Sequence, residues 1–169
     1  MSLNKSLSAR KTADSAIKKI MSFSKDIELR ERYINFFGAL RLGKLLEDLD
    51  LIAGQVAYKH TEGWERGLTI VTAACDRIDL LGDLRSDRDL QFLASINWVG
   101  KSSLEVGIRI SSKEARNWKR VARAYFIMVA RQEGKAETVN SLEPVTKEEK
   151  SRFQQGELRQ QQRRAIAQT

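Results

Sequence analysis

"LRLGKLLEDLDLIAGQVAYKH", residues Leu40–His60, carries the clearest helical period of the chain. Its apolar side chains recur at intervals of three and four residues, as on the buried face of an amphipathic helix. These side chains are Leu42, Leu45, Leu46, Leu49, Ile52, Ala53 and Val56. Three carboxylates, Glu47, Asp48 and Asp50, interrupt the same stretch. We therefore predict one long helix and ask which of the three carboxylates has a chemical role.

After a loop bracketed by Gly63 and Gly67, the hydrophobic period changes to two, which is typical of strands with one buried face. Four such stretches follow in order: "GLTIVTAACDRIDLL", "LQFLASINW", "LEVGIRI" and "RVARAYFIMVAR". In the second stretch the alternation places five residues on one face: Leu90, Phe92, Ala94, Ile96 and Trp98. Short turns between consecutive strands favour an antiparallel meander.

One further strand and two further helices complete the prediction. "AIKKIMSFS" is a candidate first strand, and "IELRERYIN" indicates a short helix before the long one. Pro144 and Thr146 precede a charged helix, "KEEKSRFQQGELRQQQRR". A single long helix that covers a sheet of this length requires the sheet to curl around it. The predicted fold class is α+β, a long central helix wrapped by a curved antiparallel sheet of five to six strands.

The length and composition predict one domain flanked by an N-terminal tail and a charged C-terminal segment. A chain of 169 residues normally builds a single core. We expect the domain at residues 16–142 and a charged helix or tail at 143–169. Residues 1–15 are expected to be a basic, Ser-rich tail, which fits either a mitochondrial transit peptide or a solvated segment.

The net charge of +8 belongs to the ends of the chain. Residues 1–25 have six basic and one acidic side chain, residues 147–169 have six and three, and the remainder has 18 of each. Because this remainder of the chain carries no excess of basic over acidic residues, the composition does not favour a nucleic-acid partner. No apolar run approaches the ~20 residues of a membrane span. A single cysteine and a single histidine disfavour disulfides and Cys- or His-based metal sites.

Helical geometry separates the three carboxylates, because each residue turns the helix by about 100°. Glu47 points roughly opposite the apolar stripe, which centres near Leu49. Asp48 lies on a polar flank that we expect to be solvated or salt-bridged, together with Arg41, Lys44, Gln55 and Lys59.

Asp50 lies on the other flank, in a row with Gly43, Gly54 and Ala57. Residues with almost no side chain leave room for another group against the helix. That group is either the backbone of the covering sheet or a ligand, and beside a ligand Asp50 would suit general-base catalysis. Gly43 lies near the start of the helix, where unpaired N–H groups and the helix dipole could polarise a carbonyl oxygen.

Five motifs carry a resemblance to a known family. They are "RLGKLLEDLD", "LTIVTAACDRIDL", "INWVGKSSLEV", "AYFIMVAR" and "FQQGELRQQQRR". In this order the sequence resembles the hotdog-fold acyl-CoA thioesterases, and most narrowly the mitochondrial branch with tandem hotdog domains. The resemblance implies a hotdog fold and hydrolysis of fatty acyl-CoA to free fatty acid and CoA. It implies no cofactor, CoA being part of the substrate. The family's catalytic carboxylate falls on Asp50.

The resemblance also implies substrate contacts. In the family, the turn "VGKSS" lies near the CoA moiety, so Lys101 is expected either to contact a phosphate or to sit in a plain hairpin. The predicted substrate-binding set is Leu42, Gly54, Gly100, Lys101, Ser102 and Ser103. Gly43 joins Asp50 as the predicted catalytic pair, because its N–H lies where the oxyanion would form.

Two departures from the family leave an alternative open. The entrance to the helix, "ALRLGK", retains Gly43 but not the second glycine of many relatives. The asparagine that assists catalysis in some relatives has no match, because Ala39 stands near its place and Asn35 is out of register. The alternative is therefore a non-catalytic, acyl-CoA-binding hotdog module that acts as a sensor or regulator.

The helix has two flanks, and one curled sheet cannot both wrap it and satisfy its own edges. We expect a homo-oligomer, at least a dimer, with a hexamer as a further assembly. The resemblance implies acyl-CoA bound at the subunit interface. The expected compartment is the cytoplasm, with the mitochondrial matrix as the alternative.

Three further residues have simpler expected roles. His60 should cap the end of the long helix as a cation or polar group. Cys75 should be a small buried apolar residue. Arg77 should form an ion pair with Asp76 or Asp79.

Overall fold

The structure is a computed structural model that describes residues 7–168. Within that range the chain forms eight strands and four helices. In chain order they are β1 (Arg10–Lys11), α1 (Thr12–Ser15), β2 (Ile17–Met21), α2 (Ile27–Glu31), α3 (Leu42–Thr61), β3 (Thr69–Leu80), β4 (Leu90–Val99), β5 (Ser103–Glu114), β6 (Asn117–Gln132), β7 (Lys135–Ala136), β8 (Leu142–Glu143) and α4 (Lys147–Ala167).

Five long strands form one antiparallel sheet in the order β2-β4-β5-β6-β3, and β7 adds a two-residue pair to the end of β6. The predicted α+β class, with a long helix and a curved antiparallel sheet, is confirmed. The predicted meander holds for β4, β5 and β6. It fails for β3, which pairs with β6 and not with the next strand in sequence. β2 and β3 are therefore the two edges of the sheet.

The helix α3 lies against one face of this sheet and supplies the centre of the core. Its apolar stripe is buried at Leu45, Leu49, Ile52, Ala53 and Val56. The facing strand residues alternate as the period of two predicts, and they include Leu90, Phe92, Ala94, Ile96, Leu104, Val106, Ile108, Ile110, Ala122, Ala124, Phe126 and Met128. Burial of this apolar area is the main force that holds helix and sheet together.

Trp98 departs from the predicted alternation. The pairing of β4 with β5 shifts register between Ile96 and Trp98, so Trp98 stands opposite Glu105. Because a bulge inserts one extra residue, it turns the following side chains to the other face of the sheet. Trp98 is buried but lies outside the α3 core cluster. The expectation that it shares a face with Phe92 and Ile96 is wrong.

The helix α4 covers the outer face of the sheet, opposite α3. A Cβ added to Gly156 would meet the Cβ of Trp98 at 2.6 Å, so the glycine allows a close approach. Glu105 is fully buried beneath α4, and Arg159 donates to its two carboxylate oxygens at 2.6 and 3.0 Å. Asn97 donates to the same carboxylate at 3.1 Å. A buried carboxylate of this kind is tolerated because it is paired and hydrogen-bonded.

The helix α4 begins directly after Thr146, as the sequence predicts. Thr146 accepts a hydrogen bond from the N–H of Glu149 at 3.1 Å, and Glu149 in turn accepts from the N–H groups of Val145 and Thr146. This reciprocal capping box satisfies backbone donors that the first turn of a helix leaves unpaired.

The N-terminal region is built into the fold from Arg10 onward. β1 pairs in parallel with β8, and α1 buries Thr12 and Ser15. Residues 10–15 therefore belong to the domain and do not form the tail expected for residues 1–15, because backbone pairing with β8 holds them. Residues 1–6 of that expected tail lie outside the described residues. No helix in the described part of the chain is long and apolar enough to cross a membrane.

Candidate active site

Asp50 lies half-buried on the flank of α3 that faces β3. Thr72 of β3 donates a hydrogen bond from its Oγ1 to Asp50 Oδ1 at 2.7 Å. The same hydroxyl is 3.6 Å from Met128 Sδ, and Met128 is the pairing partner of Thr72 across the sheet. One oxygen of the carboxylate is therefore held by the edge strand, and the other remains able to accept a proton from a bound water.

The sequence patterns do not single out Thr72. Helical periodicity compares residues within one element, whereas Asp50 and Thr72 are 22 positions apart and meet through the packing of α3 on β3. The available signal was weak. Alternation placed Thr72 on one face with Ile70 and Ala74, and Thr72 is the polar member of that set.

The other two carboxylates of the stretch have different surroundings. Glu47 is exposed, as predicted, and pairs with Lys44 at 3.4 Å on the helix surface. Arg41, Gln55 and Lys59 on the flank of Asp48 are exposed, as expected of a solvated flank. Asp48 itself is half-buried and forms no ion pair among residues 7–168, so the expectation is wrong for this residue alone. Asp48 lies beside Tyr33 instead, and burial together with this carboxylate raises the pKa of Tyr33 to about 12.

The row of small residues beside Asp50 is open at two positions. A Cβ added to Gly43 or Gly54 would meet no atom within 4 Å. Ala57, the last member of the row, is fully buried within the chain. Space for another group therefore exists along the first half of the row, next to Asp50, and closes toward the end of the helix.

Gly43 lies in the exposed first turn of α3, which begins at Leu42. The helix has no side-chain cap at Arg41. The N–H groups of the first turn have no partner inside a helix and carry the positive end of the dipole. The position fits the predicted role of Gly43 as a donor to a developing oxyanion.

The turn between β4 and β5 is the tight hairpin expected from "VGKSS". The N–H of Gly100 donates to the carbonyl of Ser103 at 2.7 Å, and a Cβ on Gly100 would clash with Trp98. Lys101 is exposed. Within residues 7–168 no hydrogen bond or ion pair joins this turn to Asp50, so a single chain does not bring the two groups together.

Asn35 closes the loop that leads into α3. Its Oδ1 accepts from the N–H groups of Phe37 and Ala39 at 2.9 and 3.0 Å. The side chains of Phe36 and Phe37 at the tip of this loop are 97% and 88% exposed. The loop presents two aromatic rings to its surroundings, which is a common feature of interaction surfaces.

β3 is exposed along most of its length, as expected of an edge strand. Cys75 is exposed for this reason, and the expectation that it is buried is wrong. Partial burial, followed by the charges of Asp76 and Asp50, raises the pKa of the Cys75 thiol. Arg77 pairs with Asp79 at 2.6 Å, one of the two partners predicted for it.

His60 is fully buried near the end of α3. Its Nε2 hydrogen-bonds to the carbonyl of Asn140 at 2.9 Å. Burial lowers the pKa of His60, so a cationic cap is not favoured. The histidine ties the helix end to the segment before β8. Among the described residues no group of three or more His, Cys, Asp and Glu side chains could hold a metal ion.

Comparisons with known proteins give a consistent result. No family model matches the chain. The chain is 39% identical over 154 residues to acyl-coenzyme A thioesterase 2, chloroplastic, of Humulus lupulus, covering 86% of this chain and 35% of the relative. It is 36% identical over 169 residues to acyl-coenzyme A thioesterase 9, mitochondrial, of Homo sapiens, covering 96% and 38%. The chain thus spans about a third of the length of these relatives.

A shorter relative and two solved structures match over most of both chains. Protein VdlD of Helicobacter pylori is 33% identical over 132 residues, covering 77% of this chain and 72% of the relative. The acyl-CoA hydrolase of Staphylococcus aureus in complex with butyryl coenzyme A has a TM-score of 0.81 at 25% identity, covering 94% and 92%. An apo-hexameric acyl-CoA thioesterase also has a TM-score of 0.81, at 24% identity, covering 95% and 98%.

Proposed function

Because the chain belongs to the hotdog-fold acyl-CoA thioesterase family, we propose that it hydrolyses fatty acyl-CoA thioesters to free fatty acid and CoA. CoA enters as part of the substrate. The observation that carries the proposal is the pair formed by Asp50 and Thr72 beside the open positions of Gly43 and Gly54. In this arrangement a carboxylate with a fixed orientation borders open space along a helix.

Asp50 acts as the general base in this proposal. Its free oxygen accepts a proton from a water, and the water oxygen forms the new bond to the thioester carbonyl carbon. The carbon–sulfur bond then breaks, the CoA thiolate leaves, and the proton held by Asp50 passes to the thiolate or to solvent. Thr72 holds the other carboxylate oxygen, so that the base keeps one orientation.

The oxyanion of the tetrahedral intermediate needs hydrogen-bond donors that are already in place. The N–H of Gly43 in the first turn of α3 is the proposed donor. A single subunit need not supply all of these groups. On a two-fold dimer, Asp50 would come from one subunit and the Gly43 donor from the other.

The Staphylococcus aureus hydrolase offers a comparison of residue spacing. An aspartate, a threonine and an asparagine of that protein have each been changed to alanine in separate structures. Its asparagine precedes its aspartate by fifteen residues, the separation of Asn35 from Asp50 here. We therefore propose Asn35 as the assisting amide, in place of the expectation that no asparagine matched. In that hydrolase the threonine follows the aspartate by fewer residues than the 22 that separate Thr72 from Asp50 in this chain.

The proposed substrate contacts follow the expected set. Leu42 and Gly54 lie on the exposed and open part of the α3 flank. Gly100, Ser102 and Ser103 shape the turn that carries Lys101, and the exposed ammonium of Lys101 is suited to a CoA phosphate.

We propose that the active species is at least a dimer, with a hexamer as the further assembly. A thioesterase described as hexameric has the same fold, which supports assembly beyond the dimer. The proposed compartment is the cytoplasm, with the mitochondrial matrix as the alternative. Relatives described as mitochondrial and as chloroplastic support the alternative, a location inside an organelle.

The deciding experiment is a measurement of free CoA released from acyl-CoAs of increasing chain length. The proposal expects catalytic turnover with at least one chain length. Binding of acyl-CoA without release of CoA at any chain length would contradict it and favour the non-catalytic acyl-CoA-binding module.

A further inference from the structure

A cavity of about 180 Å³ lies between α4 and the outer face of the sheet. Five arginines line it: Arg109 on β5, Arg120 and Arg123 on β6, and Arg152 and Arg159 on α4. Arg109 stands between Ile108 and Ile110, whose side chains point into the α3 core. Since side chains alternate across a strand, the cavity opens on the face of the sheet opposite α3 and Asp50.

The arginines of the cavity have fewer carboxylates than they could pair with. Arg159 is neutralised by the buried Glu105. Arg123 lies 3.4 Å from Asp79, and Arg152 lies 3.6 Å from Glu148, the one carboxylate among the residues that line the cavity. Within residues 7–168, Arg109 and Arg120 form no ion pair and no side-chain hydrogen bond. Two positive charges at the cavity are therefore left without a direct partner.

Two of the cavity arginines also have a donor without a partner. The Nε atoms of Arg123 and Arg152 are buried and have no hydrogen-bond partner in the described chain. Burial, followed by repulsion from Arg152 and Arg120, lowers the pKa of Arg109. Crowded like charges destabilise a folded chain, and a bound anion would relieve that repulsion.

The cavity walls add neutral polar groups suited to the same ligand. Ser95, Asn97 and Ser151 line the cavity together with Tyr125. The guanidinium of Arg159 stacks over the Tyr125 ring at 4.3 Å, so this wall is held in place. Guanidinium groups match phosphate oxygens in a two-pronged geometry that an ammonium cannot reproduce.

We propose that the cavity under α4 binds a phosphate-bearing anion, a phosphate monoester or a diphosphate group. The volume is below the roughly 300–1,000 Å³ of pockets that enclose a drug-sized ligand, so it suits the charged end of a molecule. Two sources share this chemistry: the phosphates of CoA itself and those of a separate phosphorylated metabolite.

The test uses pyrophosphate as the probe and calorimetric titration of the full chain. Wild-type protein should bind pyrophosphate saturably, and the affinity should fall as sodium chloride is raised. The double change Arg109→Gln and Arg120→Gln should weaken binding by about tenfold or more, the scale of a lost charged hydrogen bond. Arg116→Gln is the matched control, because Arg116 is exposed at the β5–β6 turn and does not line the cavity.

The variants should fold, since removing like charges relieves repulsion. Arg120→Gln alone, at an exposed position, provides a second variant if the double change unfolds the protein. Absence of saturable binding to wild-type protein would overturn the site. Equal affinity of the Arg120 variant and the Arg116 control would overturn it as well.

Competition with CoA identifies the source of the anion. If CoA supplies the phosphates, CoA displaces pyrophosphate and the double variant raises KM for acyl-CoA at unchanged kcat. If the ligand is separate, pyrophosphate binds in the presence of CoA and KM is unchanged. Both results support the anion site. Binding of pyrophosphate does not require Asp50, so failure of this inference and failure of the proposed hydrolysis are distinguishable.

Discussion

Three neighbouring carboxylates of α3 have three different surroundings at the residue scale. Glu47 is exposed and pairs with Lys44 within the helix. Asp48 lies beside Tyr33. Asp50 accepts a hydrogen bond from a strand, donated by the hydroxyl of Thr72. A carboxylate held by a strand and bordered by open space is the one suited to act on a ligand.

Replacing Asp50 with Asn keeps the shape of the side chain and removes the base. We expect kcat for acyl-CoA hydrolysis to fall by roughly 100-fold or more, the lower range of general-base contributions, while CoA esters still bind. Glu47→Gln is the matched control one turn away and should leave kcat near the wild-type value. Asp48→Asn should also change it little. Equal turnover by the Asp50 and Glu47 variants would show that Asp50 is not the base.

Replacing Thr72 tests the orientation of Asp50. Thr72→Val removes the donor to Asp50 Oδ1 at nearly constant volume. We expect kcat to fall on the order of 10- to 100-fold with KM little changed, because small misplacements of a catalytic group have large effects. Thr72→Ser keeps the hydroxyl and should retain most of the activity. A Val variant as active as the Ser variant would assign Thr72 to packing.

The two long helices lie on opposite faces of one sheet at the scale of secondary-structure elements. α3 supplies the core and Asp50, whereas α4 covers Trp98 and Glu105 on the other face. The position of α4 depends on Gly156, at which the helix backbone approaches the sheet. The arginine cavity lies beneath the same helix.

Gly156→Ala should destabilise the fold even though alanine favours helices. The new methyl group would lie 2.6 Å from the Cβ of Trp98, which is tied to the sheet backbone and cannot swing away. We expect a net loss of about 1–2 kcal/mol in the free energy of unfolding, overpacking being partly offset by helix propensity. Gln154→Ala, at an exposed position of α4, should be neutral or slightly stabilising in the same urea titration. A Gly156 variant as stable as this control would mean that α4 does not pack closely on Trp98.

The stability of the fold should depend on pH through His60, which lies near the end of α3. Its pKa in the folded chain is lowered by burial below the value near 6.5 of the unfolded chain, so protons favour the unfolded state. Stability is unaffected well above pH 6.5. It should fall by at most about 1.4 kcal/mol per pH unit as the pH drops from 6.5 toward the folded pKa.

Urea unfolding at pH 7.5 and pH 5.5 measures this effect. His60 is the only histidine in the sequence, so His60→Gln should remove most of the difference between the two pH values, whatever its effect on absolute stability. An unchanged difference in the variant would show that another group causes it.

The edges of the sheet bear on assembly at the scale of the whole molecule. β3 is a twelve-residue edge strand that is exposed along most of its length, including Val71 and Leu80. Native proteins rarely leave such an edge unprotected. The aromatic tip at Phe36 and Phe37 is exposed as well. Both features favour a partner that covers them, and a second copy of the chain is the simplest one.

We therefore expect at least a dimer in analytical ultracentrifugation. Dilution below the dissociation constant should abolish hydrolysis, because the Gly43 donor of one subunit and Asp50 of the other would then no longer share a site. Activity measured over a dilution series, in parallel with sedimentation, tests this expectation. A stable monomer with full turnover would refute a site composed from two subunits.

Local patterns in the sequence determined α3, the alternating strands and the separation of Asp50 from Glu47 and Asp48. These features depend on the fixed periods of 3.6 and 2 residues, which any backbone of that type must obey. The capping box at the start of α4 is also determined by a local pattern, because its residues lie within four positions of the sequence.

Only the tertiary structure decided which elements meet. It placed β3 beside β6, turned Trp98 to the outer face through a bulge, and exposed Cys75 on an edge. It brought Thr72 to Asp50, and it gathered arginines from β5, β6 and α4 around one cavity. Strand order, register and contacts between distant residues depend on the packing of the whole chain, and a local period carries no information about which partner a face will find.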